Sequence, residues 1–344
     1  MMKKIISVSI LVIISLSILF GYRYLFAEKK VSCVIEIKKG ESVKDIAKQV
    51  EQKTPFSSRL FLFTVRYLRL DRKLKAGYYS FSNYYNIVDF VKRLTRGEAR
   101  LIKITFPEGL NCFDMFERLE RAKLGNKDVY IQYFYMPQDF LPEEFKNAKT
   151  LEGFLFPDTY FFRANSSEKE IIEQMIARFK TMFARAKKLS CLKQRNIELE
   201  DYEVLKLASL VEKETSVVKE MPVIASVFYN RLKKGMRLEC DPTIIYALIL
   251  EGRYDGNIRK KDIRMEHPYN TYYIKGLPPT PIANPGFNAI KAAFCPAVSD
   301  YLFFVSNNQG KHLFSSSYKE HLKYVKEYQV QYWRRKWRKK RIKK

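Results

Sequence analysis

The sequence predicts an α+β protein built from an N-terminal membrane-crossing helix, a small region of repeated βα units and a larger mixed α/β domain. Three observations predict it. An uncharged apolar run opens the chain, a strand-turn-helix pattern is written three times after it, and helical periodicity alternates with aromatic and Gly/Pro-rich stretches through the rest. The 344 residues suit about two domains with extra segments. The pattern divides them into 1–30, 31–125, 126–332 and 333–344. With 47% apolar and 15% aromatic residues the chain can bury a core, which excludes wholesale disorder.

The first element is residues 5–21, Ile5 to Gly21, which carry no charge and follow Met1-Met2-Lys3-Lys4. About 17–20 apolar residues cross a bilayer as one helix, and the basic lead favours a cytoplasmic N-terminus. A cleaved signal peptide is the alternative, although Leu25-Phe26-Ala27 makes a poor cleavage site. Either way the rest of the chain is exported. The formal charge of +26 attracts polyanions, including acidic wall polymers and lipid headgroups. Export argues against nucleic acid as the partner. Cys33, Cys112, Cys191, Cys240 and Cys295 form no C-x-x-C pair and stand at no metal-ligand spacing to histidine, so they read as ordinary buried thiols.

The repeat comes next. Ile35–Val50, Tyr79–Leu94 and Ile104–Leu119 each begin with apolar residues at period two, turn, and continue with helical spacing. Ser42, Asn86 and Asn111 occupy the same slot, where a side-chain oxygen can cap a helix. Asp45, Asp89 and Asp114 align in the first turn, where acid suits the helix dipole. The first unit resembles the opening of a LysM-type carbohydrate-binding module; an αβ structural region is the alternative. Residues 168–190 and 203–234 have helical periodicity. Loops are expected to dominate from 235 to about 290, where Gly, Pro and Asn increase. The last eleven residues hold nine Lys or Arg and read as a solvated or lipid-touching extension.

The stretch 204–215, VLKLASLVEKET, carries the candidate chemistry. At about 100° per residue Val204, Leu207, Leu210 and Val211 share one face. Glu214 falls on that face, Lys213 points away and Glu212 sits at the flank. A carboxyl on an apolar face is poorly solvated when charged, so its pKa rises, as a general acid requires. A helix-end Glu in a salt bridge is the competing reading. No metalloprotease, nucleophile-elbow or P-loop pattern occurs, and no metal or cofactor is expected. The S-x-x-K match at Ser216–Lys219 lacks its partner motifs.

Several ordered motifs resemble the endolytic murein transglycosylase (YceG-like) family: EGFLFPDTY (152–160), LASLVEKET (207–215), ASVFYNRL (225–232), GMRLECDPTIIY (235–246), HPYNTYYIKGLPPTPIANPG (267–286), KAAFCPA (291–297) and YLFFVSNNQGKHLFSSSYKEH (301–321). The resemblance implies an inner-membrane enzyme with a LysM-like subdomain and a catalytic domain, here 126–332, on the periplasmic side. It implies cleavage of peptidoglycan strands between N-acetylmuramic acid and N-acetylglucosamine, ending in a 1,6-anhydro sugar, near peptidoglycan synthases. The catalytic acid maps to Glu214, with Glu212 as alternate. Asn230, Asp241, Tyr269, Asn270, Thr271 and Tyr272 lie in matching motifs and are candidates for substrate binding, or else organise turns. Glu152 and Asp158 are either contributors or structural, and His312 and Phe314 are expected to support by packing or hydrogen bonding. The chain departs from the family at Ser316, at Leu322 and in its basic tail. Rival readings are a wall-binding scaffold, a hydrolytic muramidase and a tethered polyanion binder.

Overall fold

In a computed structural model describing residues 25–96, 100–193, 197–332 and 334, the thrice-repeated pattern becomes three strands and three capped helices. The strands are β1 (Lys29–Ile37), β2 (Gly77–Tyr85) and β3 (Arg100–Thr105). In the first two repeats the helix after the strand opens on an aligned residue. Ser42 Oγ accepts from Asp45 N at 3.2 Å at the start of α1 (Val43–Lys53). Asn86 Oδ1 accepts from Asp89 N at 2.9 Å. The third repeat does the same, with Asn111 accepting from Asp114 N at 2.9 Å. Each bond satisfies an N–H that a helix start leaves orphaned.

The chain divides into two units, 1–104 with 160–166, and 105–159 with 167–344. The third repeat's helix therefore belongs to the second unit, and the 125/126 boundary read from the sequence falls inside that unit. In the first unit α1 is followed by α2 (Ser58–Tyr67), and α3 (Ile87–Arg96) follows β2. With β4 (Thr159–Arg163) the sheet runs β1-β2-β3-β4. β1 and β2 are antiparallel, with Ile35 opposite Tyr79 and Cys33 opposite Phe81. The inward positions Val31, Ile35 and Ile37 alternate as a half-buried strand requires. They pack with Ile46, Val50, Phe61 and Phe90, and Phe81 stacks on Phe90 at 4.3 Å. Each such side chain contributes about 1.5–3 kcal/mol by burial.

The second unit is largely helical: α4 (Cys112–Arg121), α5 (Lys127–Phe134), α6 (Glu168–Lys187), α7 (Asp201–Glu214), α8 (Met221–Lys233), α9 (Asp241–Leu250), α10 (Lys260–Ile263), α11 (Phe287–Phe294) and α12 (Tyr318–Tyr324). The antiparallel hairpin β5 (Phe303–Ser306) and β6 (His312–Ser315) precedes α12. α7 is central and packs on α8 and α11.

Two expectations change. The 203–234 periodicity is two helices, because Thr215 ends α7 in extended conformation and Met221-Pro222 open α8. Loops dominate 235–290 as expected, although the stretch also holds α9, whose Asp-Pro start suits a helix N-terminus and whose remainder is mostly apolar. Cys191 and Cys295 are not thiols: they form a disulfide across 104 residues, beside a hydrogen bond from Cys191 N to Phe294 O of 3.1 Å. Cys33, Cys112 and Cys240 are free. Among the described residues no helix is long and apolar enough to cross a membrane. The 5–21 segment lies outside the described residues, as does nearly all of the basic tail.

Candidate active site

α7 places Glu212 and Glu214 on different partners. Val204, Leu207, Leu210 and Val211 are fully buried, as the wheel requires, and Lys213 is exposed. Glu212 Oε2 accepts from Gly286 N at 3.0 Å, while Lys213 Nζ donates to Gly109 O at 3.0 Å. Glu212 thus fastens the Gly286 backbone at the start of α11. Glu214, at the last position of α7, accepts a hydrogen bond from the Cys240 thiol and feels Asp241 and Arg231.

Both carboxyls are pushed up to about 7. For Glu214 the chief cause is desolvation; Asp241 adds to the rise, while the Cys240 bond and Arg231 oppose it. For Glu212 desolvation again leads, Glu108 adds to it, and the Gly286 N–H and Lys213 oppose it. Glu214 keeps partial contact with solvent although protein crowds its carboxyl, which suits a group that must meet a substrate. The pKa does not separate the two glutamates, whereas the surroundings do.

Around Glu214 the structure gathers Cys240, Asp241 and Tyr272. Asp241 opens α9 and accepts from Tyr272 Oη at 2.7 Å. Cys240 N donates to Thr271 Oγ1 at 2.9 Å, and Thr271 Oγ1 lies 3.0 Å from Thr243 Oγ1. The segment before Cys240 is held by Arg231, whose guanidinium donates to the carbonyls of Leu302 (2.6 Å), Arg237 (3.1 Å) and Leu238 (3.0 Å) and to Glu239 Oε2 (3.0 Å). Glu239 has φ 52, a left-handed conformation that costs a non-glycine residue about 1 kcal/mol or more. The Arg231 bond and Glu239 N donating to Thr271 O hold it there.

The other candidates are committed elsewhere. Asn230 Nδ2 is shared by Ser299 O and Tyr301 O, both at 2.9 Å. Asn270 is fully buried; its Nδ2 donates to Met265 O at 2.7 Å and Ile263 O at 3.0 Å, and its Oδ1 accepts from Tyr272 N. Asn270 and Thr271 therefore shape the loop that presents Tyr272. Tyr269 packs on Tyr246 at 5.1 Å and bonds Thr280.

Glu152 is fully buried and accepts from Tyr246 Oη at 2.9 Å, Asn284 Nδ2 at 3.1 Å and Cys112 N. Burial pushes it up to about 7 against the Tyr246 and Cys112 donors, with Asp114 adding to the rise. It ties α4 to α9, the helix that starts with Asp241. Asp158 pairs with Arg178 at the surface. His312 Nδ1 lies 2.7 Å from Glu220 Oε2, and Phe314 packs against Tyr301. Among the described residues no group of His, Cys, Asp and Glu could hold a metal ion.

The sequence pattern of the YceG-like family matches residues 35–327. The chain belongs to the YceG-like family. It is 32% identical over 319 residues to a Bacillus subtilis protein named endolytic murein transglycosylase, spanning 88% of this chain and 86% of that one. A protein of the same name from Streptococcus pneumoniae is 28% identical over 352 residues; the match spans 90% of this chain and 62% of the relative. A crystal structure of a YceG-like protein from Listeria monocytogenes is 32% identical, with a TM-score of 0.58, covering 85% of this chain and 98% of that one.

In this YceG-like chain the sequence reading passed over Arg231, Cys240 and Asn284. Each stands inside a motif quoted above. Their signal was a buried role for a charged or polar residue, which spacing does not display.

Proposed function

We propose that this YceG-like chain is an endolytic lytic transglycosylase, cutting the N-acetylmuramic acid–N-acetylglucosamine bond inside peptidoglycan strands and leaving 1,6-anhydro ends. The observation that carries the reading is Glu214: a half-buried residue at the end of a buried helix, its carboxyl desolvated and poised near 7 beside Asp241 and Tyr272. The names of the Bacillus and Streptococcus relatives support the same reaction.

The chemistry needs one proton carrier. Neutral Glu214 gives its proton to the glycosidic oxygen as that bond breaks and positive charge grows at C1 of the muramoyl sugar. The resulting carboxylate is stabilised by the Cys240 thiol and the Arg231 charge. It then takes the proton of the same sugar's C6 hydroxyl, whose oxygen closes on C1. The proton returns to Glu214 and no water is consumed, so the paired carboxylates of ordinary glycosidases are not required. Asp241 and the ring of Tyr272 contact the sugar; Asn230, Tyr269, Asn270 and Thr271 act by holding the loops.

Residues 5–21 anchor the chain in the inner membrane with 31–332 on the periplasmic side, in reach of peptidoglycan synthases. The Cys191–Cys295 pairing supports an oxidising compartment. The first repeat in the first unit serves as a LysM-like contact to glycan. The test is digestion of purified peptidoglycan by wild type, Glu214→Gln and Glu212→Gln. Loss of cleavage in the first variant alone supports the assignment. Loss in Glu212→Gln alone moves the acid to Glu212, and an untouched polymer with folded wild type supports a scaffold instead.

A further inference from the structure

The outward face of α2 carries a feature that peptidoglycan cleavage does not use. Leu60, Phe61, Thr64 and Val65 turn inward, leaving Arg59, Phe63, Arg66 and Tyr67 exposed. At 100° per residue these four fall within one stripe of about 100°. Phe63 is 56% and Tyr67 74% exposed, and their rings stack on each other at 5.8 Å. α2 contains no Asp or Glu, so the stripe is aromatic and cationic throughout.

The N-terminal end of α2 stands close to where the chain arrives from residues 5–21. Leu25 packs on the same core as the inner side of α2. Lys29 Nζ donates to Pro55 O at 3.1 Å and lies over the Phe56 ring, just before Ser57 caps α2. Only three residues separate Gly21 from Leu25, four Cα steps with a reach of about 14 Å at full extension. A segment held in a bilayer therefore keeps α2 within reach of the headgroups. Paired aromatic rings with arginines suit that layer, where rings sit at the interface and each basic side chain adds about 1 kcal/mol near anionic lipid.

We propose that the Arg59–Phe63–Arg66–Tyr67 face of α2 docks on the anionic headgroup layer of the bilayer that holds residues 5–21. The proposal rests on the anchor reading above. A sugar is the poorer fit, since the stripe offers no amide or carboxylate to bond hydroxyls and each ring already has one face covered by the other.

The experiment uses the full chain in nanodiscs of phosphatidylcholine and phosphatidylglycerol, with Trp333→Phe and Trp337→Phe removing both native tryptophans. Phe63→Trp reports on the face and, in a separate chain, Val12→Trp reports on the anchor, each with plain or brominated acyl chains. The expected result is loss of emission for both reporters in brominated discs, and recovery of the position-63 signal when Arg59→Gln and Arg66→Gln are added. A quenched position 12 with an unquenched position 63 overturns the docking face while leaving the anchor intact. Two unquenched reporters overturn the anchor reading, and the docking face with it. A position-63 signal that changes with protein concentration but not with bromination assigns the face to a second copy and also overturns the proposal.

Discussion

The Cys240 thiol hydrogen-bonds the carboxyl group of Glu214, joining the last residue of α7 to the residue that caps α9. Only the charged carboxyl gains fully from that donor, so the bond pulls the acid down while burial and Asp241 push it up. The balance near 7 leaves Glu214 about half protonated at neutrality.

Two substitutions should move that balance in opposite directions. Cys240→Ala removes a donor to the carboxylate, so the alkaline limb of kcat/KM shifts to higher pH. Asp241→Asn removes a neighbouring negative charge, so the limb shifts to lower pH. A pH profile of glycan cleavage measures both, and shifts of the same sign would separate the acid from this cluster.

In the wild type the proton donor is lost as pH rises through about 7, so kcat/KM should fall about tenfold per pH unit beyond it. Glu214→Gln should reduce cleavage by about 10²–10⁴-fold, the usual worth of a general acid–base group, with little change in the thermal midpoint. Glu212→Gln retains an oxygen for Gly286 N and should keep most activity.

Glu152 gives a stability test away from chemistry. Its folded pKa, about 7, exceeds the unfolded value near 4.5. The neutral carboxyl's contribution is therefore complete below the unfolded value and lost as pH rises through 7, by about 3 kcal/mol. Urea midpoints should fall between pH 5 and pH 8, and Glu152→Gln should flatten the fall. Glu212 and Glu214 leave a residual slope of the same sign.

The Cys191–Cys295 bridge closes 104 residues of chain. Replacing both cysteines with serine should cost about 2–4 kcal/mol, chiefly by freeing the unfolded chain. Reductant should lower the wild-type denaturation midpoint by the same amount and leave the double variant unchanged. A wild type indifferent to reductant would mean that the bridge does not stabilise the fold.

What the sequence displayed was what short range determines. Ser42, Asn86 and Asn111 cap their helix starts through residues three positions on, and Glu214 falls on its apolar face through a 3.6-residue period. The disulfide was illegible because pairing depends on Cα atoms meeting at 4.9 Å from distant places in the chain. Arg231 was passed over because its partners are backbone carbonyls at 237, 238 and 302, groups every residue carries. α9 hid among Gly, Pro and Asn, since a helix that is apolar on nearly every face shows no amphipathic stripe. Asn270 has the composition of a sugar-binding residue, and only burial reveals that its amide closes a turn.

In the proposed cycle Glu214 regains its proton from the substrate's own C6 hydroxyl, with no water entering the product. Mass spectrometry of peptidoglycan cleaved in ¹⁸O-labelled water tests it most directly. The expected products are 1,6-anhydro-muramoyl ends without the label, absent from the Glu214→Gln digest. Reducing muramoyl ends carrying ¹⁸O would contradict it and identify a hydrolase on the same fold.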